Sequence, residues 1–429
     1  METVVLFLTL FACMGLGLSV WVSMGVAALV TIGALGLGDA TSLPTAMAKG
    51  IGNFELLAIP FFILTGELLN RTGMTERILR LMMYFLGRYR GGLAYASVGV
   101  NVAVSGVSGS APADASAVSS VMLPAMKKEG YRPEFAAAVN ASAAVIGPIA
   151  PPSIPMIFVA LVTNLSVGKL FLGGVVPALL LAGSMVLLIM WNARRGLLPQ
   201  TERVPRRAAD LGPLTLAALP ALGAPVLLIG GILTGFATIT ELSILAAAYV
   251  LFLGLVVYRT LTPRDLLPLF RDGAVFSATI MILFAVVGAF SYVLTVGDLA
   301  TGLSSMVEDL NVGPVAFILL AMVFFLIVGM PMDAVPAILI FLPILLPVAT
   351  ELGIDPIHFG VIVVVNLMLG LLTWPVGALL YVLTKMSGVS FGKLSVAVLP
   401  FLAVMIGVLL LLALVPGLVT WLPEVAFGG

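Results

Sequence analysis

Apolar runs of about 20 residues, the length of helix that crosses a bilayer, recur along the whole chain. They cover 3–19, 20–38, 53–70, 134–164, 170–192, 212–235, 240–258, 273–296, 356–384 and 394–422. The first two are short and hard to separate. Two further apolar regions, 91–126 and 313–351, carry a Gly/Ser/Pro-rich break near the middle and fit poorly as ordinary spans. The pattern predicts an all-α polytopic membrane protein.

Composition strengthens that reading. The 429 residues are 61% hydrophobic and 9% charged, against roughly 25% charged in soluble proteins. Lipid removes the cost of an apolar outer face. Twenty basic residues balance twenty acidic ones, so no nucleic-acid partner is expected. The single cysteine, Cys13, lies in an apolar run, and the single histidine, His358, follows Asp355-Pro356. No disulfide framework, zinc site, cofactor or histidine-based triad is expected. Met1 to Leu6 has no basic n-region and reads as the start of a span, not as a cleaved signal.

Lys and Arg set the orientation. Eighteen of the twenty fall in five clusters: Arg71 to Arg90, Lys127 to Arg132, Arg194 to Arg207, Arg259 to Arg271, and Lys385 with Lys393. All reach one side only if 91–126 enters and leaves by the same face. The loops flanking 313–351 (Asp298, Glu308, Asp309; Glu351, Asp355) have no basic residue and fall on the opposite side. Both regions therefore read as re-entrant hairpins, with tips at 108–114 and 329–335. A long kinked span is the alternative, and it would place basic clusters on both faces. Basic loops are then cytoplasmic and both termini periplasmic.

The surroundings of the hairpins repeat. Leu123-Pro124, Gly130 and Pro133 match Leu346-Pro347, Gly353 and Pro356 at an offset of 223, and Gly66 and Gly91 match Gly288 and Gly313 at 222. The predicted organisation has N-terminal scaffold helices over 1–52. A first repeat covers 53–192, with an arm at 72–90, a hairpin at 91–126 and an interrupted span at 134–164. A cytoplasmic loop and connecting scaffold helices fill 193–272. A second repeat covers 273–422, with an arm at 298–311, a hairpin at 313–351 and an interrupted span at 356–384. Opposed repeats with broken helices are common in secondary transporters. The amphipathic arms suit the membrane surface, as braces of a moving unit or as plain connectors.

Chemistry concentrates at the breaks. The first tip reads Ser105-Gly106-Val107-Ser108-Gly109-Ser110-Ala111-Pro112-Ala113-Asp114, and its matching span holds Asn140, Ser142 and Gly147-Pro148-Ile149-Ala150-Pro151-Pro152-Ser153. The second tip reads Gly329-Met330-Pro331-Met332-Asp333, and its matching span holds Asn366 and Gly370-Leu371-Leu372-Thr373-Trp374-Pro375-Val376-Gly377. Freed carbonyls and hydroxyls are hard oxygen ligands suited to Na⁺. Half-helix N-termini offer N–H groups to an anion. Two such pairs suggest two cation sites flanking one substrate cleft. Asp114 and Asp333 read either as caps of the second half-helix or as participants in ion or proton movement. Glu55, Glu67 and Glu241 read as structural partners of Arg or backbone.

These residues, with Glu55-to-Leu68, Leu123-Pro124-Ala125-Met126-Lys127-Lys128 and Ile146-to-Pro155, resemble the large membrane (M) subunit of the tripartite ATP-independent periplasmic (TRAP) transporters over essentially the whole chain. The resemblance implies an elevator-type, Na⁺-driven carrier in the bacterial inner membrane, and no enzyme. It implies a small four-helix membrane (Q) subunit and a periplasmic substrate-binding (P) protein that delivers an organic anion such as a carboxylate. It implies one Na⁺ at Ser108, Gly109, Ser110, Gly147 and Pro148, and a second at Gly329, Asp333, Gly370, Thr373 and Val376. Substrate would touch Ser108, Gly109, Ser110, Pro148, Met330, Pro331, Trp374 and Pro375. Trp374 departs from the family's usual Thr-Pro-Pro. It either reshapes the cleft or packs on the far side of the helix. Pro112 is a smaller departure. A stand-alone sodium/dicarboxylate symporter shares the paired-hairpin design. An intramembrane aspartyl protease built on Asp114 and Asp333, or a passive channel, fits the hairpins less well.

Overall fold

The computed structural model describes residues 2–36, 41–52, 54–199, 208–297 and 312–428. The predicted arm at 298–311 and much of the loop after Pro199 lie outside the described residues. Among the described residues every regular element is a helix. Seven helical stretches are long and apolar enough to span a membrane: Pro133–Thr163, Val167–Arg194, Asp210–Thr234, Ile239–Val257, Pro263–Val296, Ala334–Glu351 and Phe391–Leu414.

The N-terminal helices are α1 (Glu2–Gly15), α2 (Val20–Leu35), α3 (Ser42–Ile51) and α4 (Ala58–Arg71). Gly17 sits at φ 83° between the first two, a left-handed conformation that glycine adopts without steric cost. There follow α5 (Met74–Leu86), α6 (Gly92–Ser108), α7 (Ala111–Lys128), α8 (Pro133–Ala144), α9 (Ile154–Thr163) and α10 (Val167–Arg194). The connecting helices are α11 (Ala208–Thr234), α12 (Ile239–Phe252) and α13 (Pro263–Val296). The C-terminal series is α14 (Pro314–Gly329), α15 (Ala334–Glu351), α16 (Pro356–Gly370), α17 (Ala378–Ser387), α18 (Phe391–Leu414) and α19 (Gly417–Phe427).

Two boundaries differ from the sequence reading. The span expected at 273–296 belongs to a helix that begins ten residues earlier, at Pro263. A capping box fixes that start. Asp265 accepts from the Thr262 amide at 2.8 Å and from its hydroxyl at 2.6 Å. The span expected at 394–422 is split between α18 and α19 at Val415-Pro416, because a proline nitrogen cannot continue the helical ladder. The α19 helix then lies against α10.

The same local structures recur along the chain. The hairpin helices α7 and α15 start at Ala111 and Ala334 and end at Lys128 and Glu351. Gly130 (φ 80°) and Gly353 (φ 79°) terminate them. After each, an amide reaches back to the helix: Tyr131 to Met126 at 3.0 Å, Ile354 to Ala349 at 2.9 Å. Pro133 and Pro356 then open α8 and α16 at the position where a missing N–H costs nothing.

Packing is crossed between these copies. Each hairpin's first helix lies on the interrupted helix of its own copy, α6 on α8 and α14 on α16. Each hairpin's second helix lies on the far half of the other copy's interrupted helix, α7 on α17 and α15 on α9. Around this centre, α3 and α2 pack on α13, α12 on α4, and α5 on α6 and α11. The amphipathic α5 buries Met74, Ile78 and Leu79 and exposes Arg80 and its ion-pair partner Glu76. The Arg77 guanidinium lies 4.0 Å above the Tyr258 ring and donates to the Thr72 carbonyl at 2.8 Å.

The crossing of α3 and α13 has no room for side chains. A Cβ on Gly288 would stand 2.4 Å from the Ala46 carbonyl oxygen, and one on Gly50 would stand 2.5 Å from that of Phe284. Gly183 on α10 meets nothing within 4 Å. Gly288→Val is therefore expected to destabilise the protein by about 1–3 kcal/mol through overpacking. Gly183→Ala is expected to be neutral or slightly stabilising. Thermal unfolding in detergent checks the contrast, and equal midpoints for the two variants would refute it.

Candidate functional site

Four half-helices begin at the two tips and the two breaks. They are α7 and α15 at the tips, and α9 and α17 after the breaks. An N-terminus leaves amides without helical acceptors, so what fills each one decides what it can bind.

Two are filled by side chains. Asp333 caps α15, its Oδ1 accepting from the Ala334 amide at 2.8 Å. Ser153 caps α9, its Oγ accepting from the Met156 amide at 3.2 Å and donating to the Pro148 carbonyl. At the other two the N-cap residue makes no side-chain capping bond: Ser110 precedes α7 in an extended conformation, with Asp114 buried in the first turn, and Gly377 precedes α17 at φ 52°. The two side-chain-capped helices, α9 and α15, pack together, and so do the two without such caps, α7 and α17. Capping was the sequence reading for Asp333 alongside ion binding. The geometry shows the cap, and Asp333 is also exposed.

Proline causes the breaks, by elementary bookkeeping. A carbonyl four residues before a proline has no helical donor. In the first break these are Gly147 and Pro148, ahead of Pro151 and Pro152. The Gly147 oxygen takes the Ala150 amide at 3.0 Å, and the Pro148 oxygen takes the Ser153 hydroxyl. Residues 141–153 are buried throughout. In the second break the carbonyl of Leu371, four before Pro375, accepts instead from the Leu379 amide at 3.2 Å. Thr373 turns its hydroxyl back to the Leu369 carbonyl at 2.9 Å. The Pro151–Pro152 and Trp374–Pro375 bonds are both cis.

Each tip meets its own break. Gly109 is buried at φ 59°, and a Cβ there would stand 2.7 Å from the Ile154 side chain. Gly329 and Gly370 meet backbone to backbone, where a Cβ on Gly370 would stand 2.7 Å from Gly329 Cα. Ser108 closes α6, and its side chain lies outside the described residues. Met330 and Val376 are half-buried, while Pro331 and Pro375 are exposed. Trp374 is 64% exposed.

Buried amides brace both pairs. Asn140 Oδ1 accepts from Ser97 Oγ at 2.8 Å, tying α8 to α6. Asn366 Nδ2 donates to the Met322 carbonyl at 2.6 Å, tying α16 to α14. These cross-helix partners could not be read from sequence, because neither spacing nor composition marks which carbonyl an amide will find. A cleft of about 360 Å³ opens beside the first tip. Ser110, Ala113 and Ile154 form one wall, and Glu67 of α4 with Asp272 and Phe276 of α13 form another. Arg71 bridges the acidic pair, at 2.8 Å from Glu67 and 3.4 Å from Asp272. The sequence reading left Glu67 an arginine or the backbone as partner, and the structure supplies Arg71. That reading missed Asp272, which only the helix extension from Pro263 brings into place.

Comparison with known proteins bears on this arrangement. Residues 7–418 match the family described as the tripartite ATP-independent periplasmic transporter, DctM component. The sialic acid TRAP transporter large permease protein SiaM of Vibrio cholerae is 34% identical, over 98% of this chain and 97% of that protein. The 2,3-diketo-L-gulonate TRAP transporter large permease protein YiaN of Escherichia coli is 34% identical, over 90% of each. Among solved structures, the Alcanivorax borkumensis YdaH transporter matches with a TM-score of 0.64 at 16% identity, covering 92% of this chain and 97% of that one. That last likeness is one of fold.

The contact of Gly329 with Gly370 yields a prediction. Gly370→Ala is expected to push the second tip off its break and to cost about 1–3 kcal/mol. Hydrogen exchange is expected to rise in 326–334 and 367–377 and to stay unchanged in 356–362. Uniform protection in the variant would refute the contact.

Proposed function

Since this chain belongs to the DctM family of tripartite ATP-independent periplasmic transporter components, we propose that it is the Na⁺-coupled, elevator-type carrier for a small organic anion. The family member named above for sialic acid and the one named for 2,3-diketo-L-gulonate support a carboxylate as the transported group. The observation that carries the reading is the pairing of α7 with α17. Two neighbouring half-helices whose N-cap residues, Ser110 and Gly377, make no side-chain capping bond would turn positive dipole ends toward a carboxylate, beside the Asp114 side chain buried in the first turn of α7. The residues next to those ends are Gly109 and Ser110 at one, and Trp374 and Pro375 at the other.

Na⁺ would bind on either side of that mouth. One site takes Ser108, Gly109, Ser110, Gly147 and Pro148. The other takes Gly329, Asp333, Gly370, Thr373 and Val376. Carbonyl oxygens displaced by proline, the Thr373 hydroxyl and the exposed Asp333 carboxylate supply oxygen ligands. Without the ion those oxygens repel one another and the anion. With it, the mouth gains positive charge and the anion binds more tightly, which is thermodynamic coupling of the two solutes. Substrate would contact Ser108 to Ser110, Pro148, Met330, Pro331, Trp374 and Pro375.

The crossed helices α6–α10 and α14–α18 would move as one body against α1–α4 and α11–α13. The cleft at Ser110, Glu67 and Asp272 would lie on the track between them. The chain would sit in the bacterial inner membrane, with its basic loops cytoplasmic and both termini periplasmic. A small four-helix membrane subunit and a periplasmic binding protein would complete the machine. A stand-alone symporter is the alternative, and uptake by the purified chain without a binding protein would favour it.

Reconstitution with both partners tests the proposal. Uptake from a panel of organic acids is expected to require an inward Na⁺ gradient. Asp333→Ala and Thr373→Ala are each expected to raise the Na⁺ concentration for half-maximal uptake by roughly tenfold, the loss of one oxygen contact to a cation. Uptake at the same rate without Na⁺ would end the coupling claim.

A further inference from the structure

An open groove of about 580 Å³ lies where α8 and α18 begin side by side. Arg132, Glu134 and Phe135 line it from the start of α8, and Gly392, Lys393 and Val396 from the first turns of α18. Rings fix its floor. The Phe135 centroid lies 6.3 Å from that of Tyr131 and 5.9 Å from that of Phe401, which is buried in α18. Its two cations are both exposed. Arg132 has one ion pair among the described residues, with Glu134 at 4.0 Å, and Lys393 has none.

The groove continues into an apolar track. Val396 begins a stripe on α18 that runs through Leu399, Pro400, Ala403 and Gly407, all exposed. Steps of three and four residues keep these positions on one helix face. No polar side chain interrupts them. The α18 helix is long and apolar enough to cross a membrane, so the groove sits where that span enters the apolar layer, with its charged end outward.

The other copy holds the same groove, and there the chain itself covers it. Ser390-Phe391-Gly392-Lys393-Leu394 matches Ser166-Val167-Gly168-Lys169-Leu170 at the start of α10, at an offset of 224. Both leucines are fully buried. The α10 helix packs on α16 as α18 packs on α8. A Cβ on Gly168 would stand 3.0 Å from the Phe427 ring of α19 and 3.2 Å from Ile232 of α11. A Cβ on Gly392 would meet nothing within 4 Å. The described stretch after α10 gives no such cover, since Leu198 packs beside Gly91 and its carbonyl accepts from Arg90 at 3.2 Å. The charges differ in step. Asp355, Ile357 and His358 stand where the open copy has Arg132, Glu134 and Phe135. The covered groove thus sets one lysine against one acid, and the open groove sets two cations against one acid.

We infer that an anionic phospholipid occupies the open groove, with its phosphate between Arg132 and Lys393 and an acyl chain along the α18 stripe. Basic pockets between membrane helices suit such headgroups. A water-soluble anion would meet the charges and leave the stripe bare. An apolar protein segment would cover the stripe and leave the charges unmatched. A phospholipid meets both. In the orientation proposed above it comes from the cytoplasmic leaflet, and only the choice of leaflet rests on that reading.

The full chain, purified in detergent and stripped of lipid, is titrated with dioctanoyl phosphatidylglycerol while thermal unfolding is followed. This lipid is expected to raise the unfolding temperature more than phosphatidylcholine of the same chain length. Lys393→Gln and Arg132→Gln are each expected to weaken its apparent affinity about fivefold, the worth of one basic contact to an anionic headgroup. Both side chains are exposed, so neither change disturbs packing. Glu134→Gln is expected to tighten binding. Lys169→Gln, at the equivalent covered position, is expected to leave it unchanged. Equal shifts from the two lipids, or a double Arg132→Gln, Lys393→Gln variant within about twofold of wild type, would overturn the inference. An equal shift from inorganic phosphate at matched concentration would also overturn it and make the groove a plain oxyanion site. Val396→p-benzoylphenylalanine, photo-activated in native membranes, separates the remaining occupants. A lipid adduct is expected, and a polypeptide adduct would assign the groove to a partner protein and overturn the lipid. Neither assay involves Na⁺ or cargo, so failure here leaves the coupling claim untouched, and failure of coupling leaves the lipid site untouched.

Discussion

The constraint behind this structure is that a peptide carbonyl or amide in an apolar medium must find a partner, at a cost of several kcal/mol if it does not. A continuous helix meets that constraint within itself and has nothing left to bind a solute. The breaks at 145–153 and 371–377 relax it locally. Proline removes donors, and the orphaned oxygens are then either satisfied nearby or left for an ion. Ser153 on Pro148 and Leu379 on Leu371 are the nearby solutions. Each of these oxygens keeps a second lone pair, which a cation could use. The close contacts of Gly109 with Ile154 and of Gly329 with Gly370 seal each tip against its break, which keeps those groups away from lipid.

The hydropathy of the chain made its helices legible, and the proline and glycine positions made the breaks legible, because both are local properties. Gly130 and Gly353 could be matched across the chain for the same reason. Partner choice was not legible. Nothing in the spacing says that Asn366 reaches Met322 or that Asn140 meets Ser97, since each amide could satisfy many carbonyls. The crossed pairing of α7 with α17 and α15 with α9 is also a tertiary fact. The helix that carries the span expected from 273 begins ten residues earlier, at Pro263, for a readable cause. Thr262 and Asp265 form a capping box, and that signal was outweighed by the charged residues Arg264, Asp265, Arg271 and Asp272. In a helix that emerges from the apolar layer, charge marks the layer's edge and not the helix's end.

Duplication raises a problem that the caps resolve. Two copies of one unit, packed crosswise, produce two equivalent pairs of half-helix N-termini. If the copies had stayed identical at the caps, α7 with α17 and α9 with α15 would be equally open, and the centre would hold two anion sites of equal affinity. An anion would then have two resting places and no preference between them. The copies differ at the decisive positions. Ser110 corresponds to Asp333, and Ser153 to Gly377, one residue further along. Asp333 and Ser153 fill their own amides. Both ends with a capping side chain belong to the same pair, while the N-cap residues of the other pair, Ser110 and Gly377, make no such bond. Each pair also carries one carboxylate, Asp333 at the start of α15 and Asp114 in the first turn of α7. A near-symmetric backbone thereby becomes unequal at its caps. The same divergence continues along α7, where Ser119, Lys127 and Tyr131 stand in place of Leu342, Thr350 and Ile354. The copies thus diverge both at the N-cap and along the body of the same hairpin helix.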